Sequence, residues 1–193
     1  MREALLSLVD RKSGHFQLES GHHAETWMEL DQLFTHPAAL EPFVEELGRR
    51  IARHRIDAVY GPLTGGAFLA QAIAADQGLD FGFLERISTD RPGLFPVDYR
   101  LAPALRGAPS GRRVAVVDDA ISAGSAVQAS LSDLESCGAI PVALGALIVI
   151  GPRAGALAAE RGLALEWLVE LPNAMYVPTD CPMCAQGTPL TKP

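Results

Sequence analysis

The chain has 193 residues, of which 48% are apolar, and its 23 acidic and 16 basic residues give a formal net charge of −7. A chain of this length can bury the core of one domain, and its acidic balance argues against general nucleic-acid binding, which needs a basic surface. No apolar run approaches about 18 residues, the length expected of a membrane span, and the N-terminus is too polar for a signal peptide. Three cysteines do not make a disulfide framework, so the composition predicts a soluble, cytoplasmic, single-domain protein.

The first part of the chain predicts short extended segments followed by one long helix. Residues 3–10 predict a short helix, 14–21 a strand or binding loop, and 26–34 a second strand. The stretch 36–56 predicts an amphipathic helix, because its apolar residues recur at helical spacing. These residues are Leu40, Phe43, Val44, Leu47 and Ile51.

From residue 57 onward, apolar strands alternate with helices. The predicted strands cover 57–61, 79–86, 112–119, 139–150 and 163–171, and the predicted helices cover 67–78, 124–138 and 153–162. Gly78 is the expected stop of the first of these helices. Residues 87–110 are rich in Pro, Gly and Arg without a sustained period, which predicts a long mobile loop. The alternation predicts an α/β fold with a mostly parallel sheet and helices on both faces.

The sequence VAVVDDAISAGSAV, residues 114–127, places two adjacent carboxylates at the end of an apolar strand, directly before a turn of small residues. In a parallel sheet, ligands bind at the carboxyl ends of strands, where such turns lead into helix N-termini. The turn amides and the helix dipole can hold a phosphate without any lysine. Paired acids in front of that loop suit the vicinal hydroxyls of a ribose carrying the phosphate. The alternative is that Asp118 or Asp119 only caps the helix.

A second stretch, VYGPLTGGAFLAQAIA at residues 59–74, repeats the order of strand, glycine-rich turn and helix. Gly61, Gly65 and Gly66 permit unusual backbone angles and the close approach of a ligand. The stretch therefore predicts a second anion-binding loop. A tight strand–helix connection without a ligand is the alternative.

Residues 114–127 resemble the phosphoribosyl-pyrophosphate motif of the type I phosphoribosyltransferases. The resemblance implies that family's fold, a mostly parallel central sheet flanked by helices with a small N-terminal hood. It assigns the ribose hydroxyls, and a catalytic role, to Asp118 and Asp119. It assigns the 5′-phosphate to the following loop, namely Ala120, Ile121, Ser122, Ala123, Gly124 and Ser125. The second stretch resembles the family's pyrophosphate loop, which implies a role for Leu63, Thr64, Gly65 and Gly66 and a non-proline cis peptide around Leu63–Thr64.

Three further stretches resemble the orotate branch of that family, so that the resemblance spans about residues 14 to 190. Residues 14–27 are similar to a segment that lies over the base, which implies base contacts for Phe16 and Ser20. Residues 147–156 are similar to the strand end where an arginine meets the orotate carboxylate, a role that falls on Arg153, with Ser122 also near the base. Residues 176–190 are similar to a cysteine-containing tail. Surface charge is the alternative for Arg153.

The predicted mobile loop departs from the orotate pattern because it has no lysine. Arg86 matches the family's strand-end arginine beside the pyrophosphate, and Arg91, near the middle of the loop, is the candidate catalytic substitute for the missing lysine. Solvated surface charge is an equal alternative for Arg91. The protein could equally act on a different base, or bind phosphoribosyl pyrophosphate as a non-catalytic regulatory protein.

If active, the family reaction transfers ribose 5-phosphate from phosphoribosyl pyrophosphate to a pyrimidine base. The resemblance implies Mg²⁺ held by the substrate with no direct protein ligand, no nucleic-acid or membrane partner, and a homodimer whose loop closes over the neighbouring site. It divides the single domain, 1–193, into a hood (1–36), a core (37–172) and a tail (173–193).

Cys181 and Cys184 form one C-x-x-C pair, which is half of a zinc site. Two subunits, Cys137 or a histidine could complete it, and a reduced structural pair is the favoured alternative. His22 and His23 are expected at the surface.

Overall fold

The computed structural model describes all residues, 1–193, as two sheets with helices packed around the larger one. The strands are β1 (Asp10–Gln17), β2 (His23–Glu29), β3 (Ala58–Pro62), β4 (Asp80–Ser88), β5 (Val97–Arg100), β6 (Arg113–Ile121), β7 (Ile140–Ile150), β8 (Ala164–Leu171) and β9 (Met175–Tyr176). The helices are α1 (Arg2–Leu6), α2 (Pro37–Ala52), α3 (Gly65–Gln77), α4 (Ser125–Ser136), α5 (Arg153–Arg161) and α6 (Pro182–Ala185). No helix has the length and apolar character needed to cross a bilayer.

The larger sheet has six strands in the order β5-β4-β3-β6-β7-β8. Every neighbouring pair from β4 to β8 is parallel, and only β5 runs antiparallel, against β4. The α/β prediction is therefore confirmed. Because β3 and β6 are neighbours, the turns that follow them emerge side by side at one edge of the sheet.

Alternate residues of β6 pack on opposite faces of this sheet, as expected of a fully buried strand. Ala115 and Val117 join the core that contains the apolar side chains of α2 and α3, whereas Val114 and Val116 join the core beneath α4 and α5. The five apolar positions predicted to face inward from the long helix are all buried in α2. Gly78 ends α3 with a left-handed φ of 66°, as expected.

The smaller sheet has the order β1-β2-β9, so the N-terminal and C-terminal segments meet in one structure. His23 of β2 pairs with Tyr176 of β9 in antiparallel register. Farther along the tail, the Thr191 carbonyl accepts a hydrogen bond from the Gln17 amide at 2.9 Å, and the Thr191 amide donates to the His15 carbonyl at 2.8 Å. The tail therefore holds the N-terminal hairpin at two places.

The expected long loop over 87–110 is wrong in its extent. The strand β4 continues to Ser88 and β5 returns along it, so the irregular part is divided into a turn at 89–96 and a segment at 101–112 that contains one 3₁₀ turn. The segment after β5 is fixed to α4 by Asp133, whose carboxylate accepts from the Leu101 amide at 2.8 Å and from Arg106 at 2.9 Å. A hairpin whose alternate residues Val97 and Tyr99 are buried, followed by a segment fixed by the half-buried Asp133 carboxylate, replaces the structureless loop.

Candidate active site

A cavity of about 360 Å³ opens at the carboxyl ends of β3 and β6 and is walled on one side by the N-terminal hairpin. Its lining includes residues that the two motifs predict together with residues from the first 31 positions. The lining residues from the motifs are Leu63, Thr64, Gly65, Asp118, Asp119, Ala120, Ile121, Ser122, Ala123, Gly124 and Ser125. The structure therefore brings both predicted anion loops to one cavity.

The acidic pair lies at the floor of this cavity, half-buried at the end of β6. Burial raises the pKa of Asp118 well above its usual range, and the neighbouring Asp119 charge adds to this effect. Burial also raises the pKa of Asp119, to about 6. Loss of hydration disfavours the charged form of a carboxyl, and a second carboxylate disfavours it further. Hydroxyl donors or a cation brought by a ligand would favour the charged form of the pair and lower both pKa values again.

The turn after the acidic pair presents unused backbone donors. The amides of Ser122, Ala123 and Gly124 have no hydrogen-bond partner within the protein, whereas the Ala120 amide donates to Asp119 Oδ1 at 2.6 Å. Gly124 adopts a left-handed φ of 79° at the N-cap of α4, so the turn opens onto the helix N-terminus. Free amides in front of a helix dipole make a site for an anion. Helix capping by Asp118 or Asp119 is not observed.

The second loop packs directly against the acidic pair. The Leu63–Thr64 peptide is cis, at the position that the resemblance implies. A Cβ atom at Gly65 would lie 1.8 Å from Asp119 Oδ2, and one at Gly66 would lie 2.7 Å from Asp118 Oδ1. Real Cβ contacts are essentially never this short, so both positions require glycine while the acids keep their places. The Thr64 amide also has no hydrogen-bond partner in the protein.

A smaller cavity of about 200 Å³ lies next to the first, and Ala123 lines both. Arg153 lines the smaller cavity together with His22, Phe95 and Met175. Burial lowers the pKa of His22, and the Arg153 charge lowers it further, so the cation in this cavity is the guanidinium. Ser20 lines the main cavity and lies 3.0 Å from His22 Nδ1 through its hydroxyl oxygen.

Gly66 and three side chains expected at the site line neither cavity. Phe16 is buried against Trp27, with ring centroids 6.4 Å apart, because a bulge in β1 turns it inward. The Arg91 guanidinium is held in its own hairpin by Asp98 and by the Phe95 and Val97 carbonyls, so the structure does not bring it to the acidic pair. Arg86 reaches the cavity only indirectly, through an ion pair of 3.5 Å with Glu19.

Several residues that line the cavity were not predicted from the sequence, among them Arg11, Glu19 and Tyr99. The Tyr99 hydroxyl donates to Glu19 at 3.0 Å, and burial followed by the Glu19 charge raises the pKa of Tyr99. Tyr99 lies in β5, inside the stretch expected to be a loop. Its signal was the alternation of Val97, Tyr99 and Leu101 with polar neighbours, which is typical of a half-buried strand.

The expectation that both histidines are at the surface is wrong. His22 is half-buried and His23 is 5% exposed, because β1, β9 and the tail cover this end of β2. His23 lies beside His15, and the Cys181 and Cys184 sulfurs lie against the same two rings. The sequence left open whether a second subunit, Cys137 or a histidine would complete the half site of the cysteine pair. In the structure two histidines lie beside the cysteines, and Cys137 lies apart from this cluster.

Comparison with known proteins assigns the chain to a family. The chain is 32% identical over 183 residues to the orotate phosphoribosyltransferase of Thermotoga maritima, covering 93% of this chain and 89% of that protein. It is 29% identical over 198 residues to the one from Caldanaerobacter subterraneus subsp. tengcongensis, covering 100% of this chain and 96% of that protein. No family model matches the chain.

Among solved structures, the orotate phosphoribosyltransferase of Aeropyrum pernix superposes with a TM-score of 0.65 at 24% identity, covering 87% of this chain and 93% of that one. The superposition shows the type I phosphoribosyltransferase fold, with its mostly parallel sheet flanked by helices. Fold and sequence agree with the paired acids and the two anion loops, and the chain therefore belongs to the orotate phosphoribosyltransferase family.

Proposed function

We propose that the protein transfers ribose 5-phosphate from phosphoribosyl pyrophosphate to orotate, giving orotidine 5′-phosphate and pyrophosphate. The observation that carries this proposal is the junction of the two anion loops over one acidic pair. The turn with free amides at Ser122–Gly124 follows Asp118 and Asp119 in the chain, and Gly65 and Gly66 of the second loop pack against the two carboxylates. A sugar with an anionic group on each side of a diol matches this order.

In the proposed complex, the loop from Ala120 to Ser125 holds the 5′-phosphate through its amides and the N-terminus of α4. Asp118 and Asp119 accept hydrogen bonds from the ribose hydroxyls and so fix the anomeric carbon relative to the base. The second loop, Leu63–Gly66, receives the pyrophosphate through backbone donors such as the free Thr64 amide. Catalysis then rests on positioning and on stabilising the charge of the leaving group, with no protein base at the reacting carbon.

The base has a proposed place at the boundary of the two cavities. Arg153 supplies a planar pair of donors that suits a carboxylate, and its ring neighbours His22 and Phe95 leave room for a flat heterocycle. Ser20 and Ser122 line the main cavity beside it. Arg153 contacts Glu160 at 3.1 Å, an exposed ion pair that a bound carboxylate can replace at little cost.

The donor set also fits a divalent cation brought by the substrate. Beside the acidic pair, the carboxylates of Glu19 and Asp31 line the cavity, and the Glu19 charge raises the pKa of Asp118 while the Asp31 charge raises that of Asp119. Arg11 is the one basic residue in this lining. When bound, Mg²⁺ supplies charge neutralisation for the pyrophosphate, and hard oxygen donors of this kind suit it, either directly or through water.

We also propose that the protein works as a cytoplasmic homodimer, with a core (37–172) carrying a hood (1–36) and a tail (173–193). All three cysteines are free, which suits a reducing compartment. A dimer in which the 89–96 turn meets the neighbouring subunit's site would give Arg91 a role that its position in one chain does not. Size-exclusion chromatography with light scattering tests the dimer, and a monomer at working concentrations refutes it.

The decisive experiment follows orotate absorbance in the presence of phosphoribosyl pyrophosphate and Mg²⁺. We expect loss of orotate that requires both, and loss of that turnover in Asp118→Asn with Asp119→Asn. No turnover with orotate at high enzyme concentration refutes the proposal. A panel of other pyrimidine and purine bases, run in parallel, then identifies the true acceptor if one is used.

A non-catalytic regulatory protein is the second candidate, because residues 86–112 contain no lysine and Arg91 is tied to Asp98. This alternative predicts tight calorimetric binding of phosphoribosyl pyrophosphate with no product from any base. Arg91→Ala separates it from the enzyme: a falling turnover number with unchanged substrate affinity shows that an arginine replaces the lysine.

A further inference from the structure

We propose that His15, His23, Cys181 and Cys184 bind one zinc ion that joins the tail to the N-terminal hairpin. The four side chains come from three separate parts of the chain, namely β1, β2 and the turn around α6. Their ligand atoms all lie within 4.8 Å of one another. His15, His23 and Cys181 are 2%, 5% and 3% exposed, so most of the cluster is enclosed by protein.

The spacing of these atoms matches the edges of a tetrahedral zinc site. Zn–S bonds of about 2.3 Å and Zn–N bonds of about 2.0 Å place neighbouring ligand atoms about 3.3–3.8 Å apart. The His15 Nε2 atom lies 3.5 Å from Cys181 Sγ and 3.8 Å from Cys184 Sγ. His23 Nδ1 lies 3.3 Å from Cys184 Sγ and 2.9 Å from His15 Nε2. Of these four distances only the last must lengthen, by a few tenths of an ångström, and the widest separation in the cluster, within 4.8 Å, must shorten toward a tetrahedral edge.

A backbone carbonyl orients His15 as a metal ligand. The Nδ1 atom of His15 lies 2.8 Å from the Thr188 carbonyl oxygen, and a carbonyl can only accept, so Nδ1 carries the proton. The Nε2 lone pair of the neutral ring therefore points into the cluster. A hydrogen bond on the ring nitrogen that faces away from the metal is the usual support of a ligating histidine.

Without a cation, this lone pair is shared among too many neighbours. His23 Nδ1 and both sulfurs approach the same Nε2 atom, which can accept one hydrogen bond. A cation at the centre gives each of the four atoms its own bond. Two thiolates with two imidazoles favour Zn²⁺ over Mg²⁺ or Ca²⁺, which prefer oxygen, and a fully protein-ligated tetrahedron is typical of a structural site.

The local backbone is arranged around this cluster. The register of β1 against β2 shifts between Ser13 and Phe16, and this bulge lets the consecutive residues His15 and Phe16 both be buried. The tail closes into a compact turn in which the Ala185 amide donates to the Cys181 carbonyl and the Thr188 amide to the Met183 carbonyl. This turn presents both sulfurs and the Thr188 carbonyl to His15.

The proposed ion stabilises the wall of the active-site cavity, because Glu19 and Ser20 lie between the two histidine ligands in sequence and line that cavity. It would hold this loop from the hairpin and the tail at once. Metal binding by a site assembled from distant segments contributes directly to folding stability. The role is structural, so it stands or falls separately from the proposed transfer to orotate.

The test is the metal content of the full-length protein purified with reductant, followed by chelation and titration with Co²⁺. We expect one zinc per chain, and a cobalt form with the intense visible bands and thiolate charge-transfer absorption of a tetrahedral site. Cys181→Ser and Cys184→Ser should weaken metal binding by more than the about 10–100-fold that loss of a hydrogen-bond partner behind a ligand costs. Cys137→Ser, whose cysteine lies outside the cluster, should bind as the wild type does.

Three results would overturn the proposal. One is the absence of stoichiometric zinc or cobalt binding by the reduced wild-type protein. Another is a cobalt spectrum of six-coordinate type without charge transfer. The third is unchanged binding in both cysteine variants. If those variants do not fold, the wild-type cobalt spectrum alone decides, and a chelator that lowers the wild-type melting temperature gives independent support.

Discussion

Gly65 and Asp119 are packed so closely that a Cβ atom on Gly65 would lie 1.8 Å from the Asp119 Oδ2 atom. Asp119 cannot easily retreat, since its other oxygen accepts the Ala120 amide at 2.6 Å. The loop of residues 63–66 and the acidic pair are therefore in direct steric contact, and a side chain at Gly65 would have to displace the Asp119 carboxylate.

The first prediction is that Gly65→Ala displaces the Asp119 carboxylate. We expect a loss of about 1–3 kcal/mol in unfolding free energy from overpacking, and at least tenfold weaker binding of phosphoribosyl pyrophosphate with Mg²⁺ by calorimetry. Gly107→Ala is the matched control, because its Cβ would meet nothing within 4 Å. Equal effects of the two substitutions on binding would contradict the coupling.

The second prediction is that Asp119→Asn stabilises the unliganded protein while weakening substrate binding. Burial raises the pKa of Asp119 to about 6, whereas the pKa of an aspartate in an unfolded chain is about 3.9. The folded state thus binds the proton more tightly, and its stability falls as pH rises through this window. Above about pH 6 the Asp119 carboxylate is ionised in the folded protein and lowers the free energy of unfolding. Asparagine carries no charge and removes this destabilisation.

We expect Asp119→Asn to raise the melting temperature at pH 8 by about 2–4 °C for each kcal/mol of unfolding free energy that it restores. The increase should be smaller at pH 5. Thermal unfolding of both proteins at the two pH values measures it. A variant less stable than the wild type at pH 8, or a difference that grows on acidification, would show that the raised pKa does not govern stability here.

The strands and helices of the core were predictable because their periods are clear. Buried parallel strands such as β6 consist of consecutive apolar residues, and the buried residues of α2 recur at helical spacing. The hairpin carrying Tyr99 was not predicted, since its four residues lie among prolines and glycines that favour a loop. A short strand gains its stability from packing on α4, which local patterning does not reveal.

The candidate site likewise contains residues that could be predicted from the sequence and residues that could not. Asp118, Asp119 and the glycine-rich turns are local motifs, and their positions follow from the rule that ligands bind at the carboxyl ends of strands. The sequence did not reveal that Arg91 pairs with Asp98, because the two become neighbours only once β4 and β5 pair. The cluster of His15 with Cys184 joins residues far apart in sequence, and no spacing rule connects them.

The third prediction concerns the amide turn at Gly124, whose left-handed φ of 79° exposes donors to the cavity. Gly124→Ala should cost about 1 kcal/mol of stability because a side chain disfavours this conformation. It should also weaken binding of ribose 5-phosphate by about tenfold or more. Calorimetry with that ligand measures the second effect.

Gly162→Ala provides the control for Gly124→Ala. Gly162 has a similar φ of 65° at the C-cap of α5, a Cβ atom there would meet nothing within 4 Å, and the residue is absent from the cavity lining. It should lose similar stability and keep its affinity for ribose 5-phosphate. If both variants bind equally well, the Ser122–Gly124 amides do not hold the phosphate.

The fourth prediction is that Arg153 determines the affinity for the base and has little effect on the affinity for phosphoribosyl pyrophosphate. Arg153→Ala should raise the KM for orotate at least tenfold, since a charge-assisted hydrogen bond contributes about 1.5–3 kcal/mol. The KM for phosphoribosyl pyrophosphate should change less than about threefold, on the order of the 0.5 kcal/mol typical of a surface substitution. Arg153→Lys should recover only part of the loss, because an ammonium cannot bind a carboxylate with two parallel bonds.

Arg161→Ala is the control for Arg153→Ala, because Arg161 lies in the same helix but pairs with Glu135 away from both cavities. Steady-state kinetics with each substrate varied in turn separates the two affinities. An equal loss for both substrates in Arg153→Ala would indicate that the guanidinium supports the fold of the Ala123 turn. A loss confined to orotate, against an unchanged Arg161→Ala, places the carboxylate of the base in the cavity between His22 and Met175.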